Sequence, residues 1–270
     1  MAGRRARLDA EVVRRGLAPS RSAAQAMIAA GEVRVGGVPA PKPATQITPD
    51  DPVEVVSTGP RYASRGGLKL AGALDALDVD PAGRVALDAG AAHGGFTDVL
   101  LRRGAAHVVA VDVAYGQLAW ALRTDERVTL LERTNVRELT AADLAGRSPS
   151  VVVADLSFIS LQKVLPALVR AAAPDADLLP MVKPQFEAGP ARVGKGGVVR
   201  DPQVWSDAMA GVVAVAADLG LDLVGAVPSP APGPAGNVEF FLHLRRGRAA
   251  ADAEAVIAGA VAAGRRLRDG

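Results

Sequence analysis

Val85-Ala86-Leu87-Asp88-Ala89-Gly90-Ala91-Ala92-His93-Gly94-Gly95-Phe96-Thr97 carries the pattern around which the rest of the chain is arranged. An apolar run stops at Asp88, turns through small residues, and enters the helical spacing Phe96, Val99, Leu100, Leu101. Strand, glycine loop and helix in that order suit a nucleotide cofactor, because glycines let the backbone close on a ligand. The spacing is neither a Walker A loop, which needs Gly-Lys-Ser/Thr, nor a clean G-x-G-x-x-G. A second apolar run, His107 to Val111, ends at Asp112, 22 residues past Gly90, where a carboxylate can bind ribose hydroxyls. An ordinary α/β turn also accounts for the loop alone; Asp112 in register favours the cofactor reading.

Outward from this stretch the pattern alternates. Apolar strands are expected near 84–88, 107–111, 127–131, 151–154, 178–182, 222–227 and 238–244, with helices around 95–103, 117–123, 161–172 and 204–219. That order predicts a doubly wound α/β sheet with helices on both faces. Residues 245–270 read as one closing helix. Ligands of such sheets bind beyond the carboxyl ends of the strands. Asp155 stands just past 151–154 and Lys183 just past 178–182. Glu239 opens the last strand and reaches the same edge only if that strand runs antiparallel. The bland alternatives are a helix cap for Asp155 and a surface position for Lys183.

Upstream, Arg65-Gly66-Gly67-Leu68-Lys69-Leu70 opens a helix through Leu74 and Leu77. Free N–H groups at such an entry suit an anion, and a hinge is the competing reading. Of 31 basic residues only Lys42, Lys69, Lys163, Lys183 and Lys195 are lysine. In a chain that otherwise uses Arg, a compact ammonium at glycine- or proline-marked positions is a candidate for chemistry. Phe158, in a polar loop after Asp155, is a candidate stacking surface for a base.

Composition sets bounds. The 270 residues are 49% apolar, enough for one large domain and a small one. No apolar run reaches the ~18 residues of a membrane span, and the basic start is interrupted by charge, unlike a secretory signal. Without cysteine there are no disulfides or thiolate metal sites, and three scattered histidines argue against structural zinc. A cytoplasmic protein with no metal and no membrane partner is expected. Residues 1–42 hold seven Arg and one Lys against Asp9, Glu11 and Glu32, a balance of +5 in a chain of net charge +2. A basic front module suggests a polyanion partner.

That module shows helical spacing at Leu8, Val12 and Leu17, then a second helix carrying Ala24 and Ile28, then short strands around Val33, Val35 and Val53 to Val56. Arg7-Leu8-Asp9, Ser20-Arg21, Gly31-x-Val33-x-Val35-x-Gly37 and Lys42-Pro43 resemble the small RNA-binding domain of the ribosomal protein S-four type. The resemblance implies phosphate and shape contacts to structured RNA, for which Arg5, Arg7, Arg21 and Lys42 are the candidates, with Phe158 added from the larger domain.

The whole chain to about residue 244 resembles the TlyA family of ribosomal RNA 2′-O-methyltransferases, whose catalytic domain is of the FtsJ type. The matching segments are Ser64–Leu70, Leu87–Gly90, Gly94–Thr97, Asp112–Leu118, Glu132–Asn135, Ala154–Ser160, Val182–Glu187, Val193–Val199 and Gly236–Glu239. The resemblance implies a seven-stranded methyltransferase sheet with its last strand antiparallel. It divides the chain into an α+β RNA-binding domain at 1–56, a linker at 57–68 and a methyltransferase domain at 69–270. It also implies S-adenosylmethionine as cofactor, ribosomal RNA or ribosomal subunits as partner, and a tetrad Lys69, Asp155, Lys183 and Glu239. Asp88, Gly90, Gly94 and Phe96 would shape the methionine end of the cofactor, with Asp112 on its ribose and Asn135 near the adenine. One departure is Ala63 after Tyr62, where the family often has Val. Two other readings compete: an RNA-binding assembly protein with a vestigial methyltransferase fold, and the haemolysin of the family's older label.

Overall fold

The computed structural model describes residues 5–18, 20–29, 31–56, 62–140, 142–247 and 251–269. The expected turn-rich linker Ser57-Thr58-Gly59-Pro60 lies outside the described residues. The chain forms two compact units, residues 1–61 and 62–270.

In the first unit β1 (Ala6–Arg7) leads into α1 (Leu8–Arg14), followed by α2 (Arg21–Ala29), β2 (Val33–Val35), β3 (Val38–Pro39), β4 (Gln46–Ile47) and β5 (Val53–Val55). The strands pair antiparallel, β1 with β4 and β2 with both β3 and β5. Leu8, Val12, Ala24, Ile28, Val33 and Ile47 form its core. So small a core leaves little stability to spare.

The second unit opens with α3 (Gly66–Leu77) and continues β6 (Val85–Ala89), α4 (Gly95–Arg102), β7 (His107–Val111), α5 (Trp120–Arg123), β8 (Val128–Leu131), β9 (Val151–Ala154), α6 (Leu161–Ala171), β10 (Asp177–Val182), α7 (Pro184–Glu187), α8 (Pro202–Asp218), β11 (Asp222–Pro228), β12 (Phe240–Arg245) and α9 (Ala253–Asp269). Seven strands form one sheet in the order β11-β12-β10-β9-β6-β7-β8. β12 runs antiparallel to both neighbours, whereas the β10, β9, β6, β7 and β8 pairs are parallel. Alternation along the strands feeds two layers. Leu87, Val109 and Val152 face one with Trp205 and Leu165, while Ala86, Val108 and Val151 face the other with Leu70 and Phe241.

Three elements depart from the sequence pattern. The helix expected at 117–123 is only α5, because Asp112 accepts from Ala114 N and Glu132 from Gly116 N, which holds the preceding residues as a loop. The last strand starts at Phe240, not 238, so Glu239 precedes it. The closing helix starts at Ala253, since Arg245 ends β12 opposite Asp222 and Gly247 turns at φ 67°.

Trp205, on α8, is fully buried, donates Nε1 to Val199 O at 3.0 Å and packs at a tilt against Phe240 with centroids 5.7 Å apart. Trp205→Ala should lower unfolding free energy by about 3–5 kcal/mol in urea titration.

Candidate active site

β6 ends beneath the glycine loop. Gly90 turns at φ 89°, and a Cβ there would lie 2.5 Å from Asp155 O, so the loop is pressed against the exit of β9. Gly90 N and Ala91 N both donate to Val111 O, at 2.8 and 3.1 Å, which ties the loop to the end of β7. Asp112, next after β7, accepts from Ala92 N at 2.8 Å and Ala114 N at 2.7 Å. Each of its oxygens keeps a second lone pair for a ribose hydroxyl. Gly94, at φ 90°, begins α4 where a Cβ would strike Leu118 and Leu122. A cradle closed by backbone at Gly90 and by leucine side chains at Gly94, with a carboxylate at its rim, fits an adenosine cofactor at the switch point between β6 and its two neighbours.

Asp88 and Phe96 act from below the loop. Phe96 is buried and packs on Phe241. Asp88 is fully buried, its Oδ2 accepting from the Thr97 hydroxyl at 2.6 Å while Oδ1 has no partner. Burial, with added repulsion from Asp155 and Asp112, outweighs the Thr97 hydrogen bond and pushes its carboxyl up to about 7.

Two lysines and two carboxylates meet at the carboxyl edge. Lys183 Nζ lies 2.6 Å from Asp155 Oδ1 and donates to Ser157 Oγ at 2.9 Å. Lys69 Nζ, from α3, lies 2.5 Å from Glu239 Oε2. Both lysines are 7% exposed and Glu239 is 1% exposed. The register Val182↔Phe240, continued one step, sets Lys183 beside Glu239. The four residues that the family resemblance implied as a tetrad thus come from α3, from just past β9 and β10, and from just before β12.

The sequence reading missed the residues that hold this edge. Asn237 accepts from Val199 N and donates to Gly197 O, both at 2.8 Å, anchoring the glycine-rich segment 194–198. Glu187 accepts from the Ser160 hydroxyl at 2.6 Å and Leu161 N at 2.7 Å, pinning α7 to the start of α6. Both fall within segments that carry the family resemblance, but nothing in their local pattern marked them as anchors. Phe158 is 91% exposed at φ 63° and lies against Phe186, centroids 5.2 Å apart. With Lys163 and Arg137 it lines an open cleft of about 710 Å³.

Asn135 sits apart in role: its side chain accepts from Arg137 N and donates to Glu138, capping its own turn. In the first unit Arg5, Arg7, Arg21 and Lys42 are exposed. Arg15, by contrast, spans to the carbonyls of Thr48, Pro49 and Asp51.

Residues 62–246 match the family model of FtsJ-like methyltransferases, and residues 6–53 match the S4 domain. The chain is 58% identical, over 90% of its length and 90% of the relative's, to the 16S/23S rRNA (cytidine-2′-O)-methyltransferase TlyA of Mycobacterium tuberculosis. It is 38% identical to Hemolysin A of Brachyspira hyodysenteriae, covering 88% of this chain and 99% of that one. A solved structure named as a hemolysin, from Streptococcus thermophilus, aligns with TM-score 0.79 at 36% identity, covering 98% of this chain and 97% of that one.

Because folding favours the protonated Asp88, its contribution to stability is present below its ordinary value of 3.8 and declines as pH rises toward about 7. Asp88→Asn should flatten that part of the stability curve. Denaturant titrations of both proteins across that pH range check it; an unchanged slope contradicts the buried neutral carboxyl.

Proposed function

The chain belongs to the FtsJ-like methyltransferases, within the TlyA family with its S4 domain, and on that premise we propose that it methylates a ribose 2′-OH of ribosomal RNA in assembled or assembling subunits. S-adenosylmethionine is the methyl donor. The acceptor we infer is a cytidine, the nucleotide named for the Mycobacterium relative. A cytosolic location follows from that substrate. The observation that supports this reading most is the pairing of Lys183 with Asp155 and Lys69 with Glu239 on the carboxyl edge beside the glycine loop.

When bound, S-adenosylmethionine supplies an electrophilic sulfonium methyl and departs as a neutral thioether. Gly90, Gly94 and Asp112 would hold it, while Asp88 and Phe96 support the loop from beneath. Asn135, which caps its own turn, would lie near the adenine.

A ribose hydroxyl is a poor nucleophile and must lose its proton as its oxygen attacks in line. Lys183 Nζ, fixed by Asp155 and Ser157, stabilises negative charge on the 2′-oxygen as that proton passes to solvent water, or, when neutral, takes the proton itself. Lys69 and Glu239 balance the charge of the edge and hold the ribose. Placing the hydroxyl against the methyl carries most of the acceleration. Phe158 offers a face on which the acceptor base stacks. Arg5, Arg7, Arg21 and Lys42 bind RNA phosphates from the first unit.

The described helices include none long and apolar enough to cross a membrane.

Incubation with tritiated cofactor and ribosomal subunits should label RNA at a 2′-O position. Lys183→Ala should reduce transfer by roughly a hundredfold or more while subunit binding persists; retained turnover overturns its role. Changing Arg7, Arg21 and Lys42 together to Glu should weaken subunit binding and flatten its salt dependence, read by filter binding across a salt series.

A further inference from the structure

We propose that Asp9 is a positioning residue that aligns Arg7 and Arg21 into a paired-guanidinium clamp for RNA phosphates. The inference rests on the RNA-binding reading of the first unit and deepens it.

Asp9 is the second residue of α1 and is fully buried, unusual for a carboxylate in so small a unit. Four donors of three side chains converge on it. Arg7 grips it with both arms of its fork, Nε to Oδ1 at 3.0 Å and Nη2 to Oδ2 at 2.8 Å. Arg21 Nη2, from the start of α2, reaches Oδ1 at 3.3 Å and Oδ2 at 3.1 Å. Gln25 Nε2, one turn further along α2, donates to Oδ2 at 2.8 Å. The Arg7 hydrogen bonds, with help from Gln25 and Arg21, hold the carboxyl well below the usual range despite its burial.

The two arginines are not consumed by this contact. Their side chains remain 44% and 57% exposed, and the Arg7 Nη1 and Arg21 Nε and Nη1 groups donate to nothing among the described residues. Two guanidiniums held on one carboxylate keep these remaining N–H groups close to a common anchor. Phosphate oxygens are recognised by such forks, and fixing the forks in advance removes rotamer entropy that binding would otherwise cost.

Glu11 offers an internal contrast. It also gathers two arginines, Arg14 and Arg15, but Arg15 spends its remaining donors on backbone carbonyls of 48, 49 and 51. That trio fastens α1 to the loop before β5. The Asp9 trio leaves its donors to solvent.

The charge model and the clamp make opposite predictions for Asp9→Asn. Removing a negative charge from a basic face tightens RNA binding if charge alone matters. If alignment matters, binding weakens although the face becomes more positive. In filter binding to ribosomal subunits, Asp9→Asn should raise Kd roughly tenfold and make the salt slope shallower. In methyl transfer it should raise KM for subunits and leave kcat unchanged, a split that loss of folded protein does not produce. Arg7→Lys with Arg21→Lys keeps the charge and removes the fork. It should weaken binding comparably, with Asp9→Asn adding nothing on top.

If Asp9→Asn binds as tightly as the wild type or tighter, the clamp is overturned. Should Asp9→Asn fail to fold, as a thermal melt would reveal, the double Lys variant decides, and unchanged affinity there overturns the clamp. A wild-type protein that binds no subunit overturns the RNA reading and the clamp with it. Wild-type binding alongside undiminished Asp9→Asn binding overturns the clamp alone.

Discussion

The site depends on one strand running against the rest. β12 enters the sheet antiparallel between β10 and β11, so the residue that precedes it reaches the edge where β9 and β10 end. Asp155 and Lys183 follow their strands; Glu239 precedes its own. A parallel β12 of six residues would carry Glu239 to the opposite edge, about 20 Å away at 3.3 Å per residue. Lys69 would then lose its buried partner, and the carboxyl edge would be left with two lysines and one acid.

Holding four charges here does not stabilise the fold. Bringing a lysine and a carboxylate out of water costs several kcal/mol per ion, and their attraction offsets this without exceeding it by much. The stability comes from the two apolar layers on the faces of the sheet, which the charged edge exploits as a rigid support. The unsatisfied atoms make the same point. Among the described residues, four buried side-chain atoms lack a hydrogen-bond partner, and Asp88 Oδ1, Gln185 Oε1 and Glu239 Oε1 all belong to the carboxyl edge or the strand end beneath its loop. Such groups are expected where a fold keeps polar capacity for a ligand.

Much of this was legible in the sequence, for a definable reason. Strands buried on both faces read as unbroken apolar runs, so their ends stand out, and Asp112, Asp155 and Lys183 each mark one. The glycine loop was legible because Gly90 and Gly94 sit where neighbouring atoms leave no room for a Cβ. What escaped were contacts between side chains and distant backbone. Asn237 on Gly197 and Val199 spans about 40 positions, and Glu187 on α6 about 25, separations that no local period reveals. The shortened α5 has the same origin. Its upstream residues follow helical spacing, but Asp112 and Glu132 take up their amides first. Phe96 was legible as an aromatic in the loop but not as core, because its direction is set by where α4 lands on the sheet.

Counting charge misleads most in the first unit. The +5 balance of residues 1–42 suggests a uniformly basic face. The structure instead sorts the arginines by what their acids let them do. Arg14 and Arg15 share Glu11, and Arg15 is committed to carbonyls; Arg7 and Arg21 share Asp9 and keep their outer donors. An acid in the midst of an RNA-binding face lowers long-range attraction, which acts through net charge over roughly a Debye length of about 8–10 Å. It can be retained at that cost only where the geometry it imposes on its cations returns more at contact distance. On the proposed clamp, the buried carboxylate is part of the binding surface and not an interruption of it.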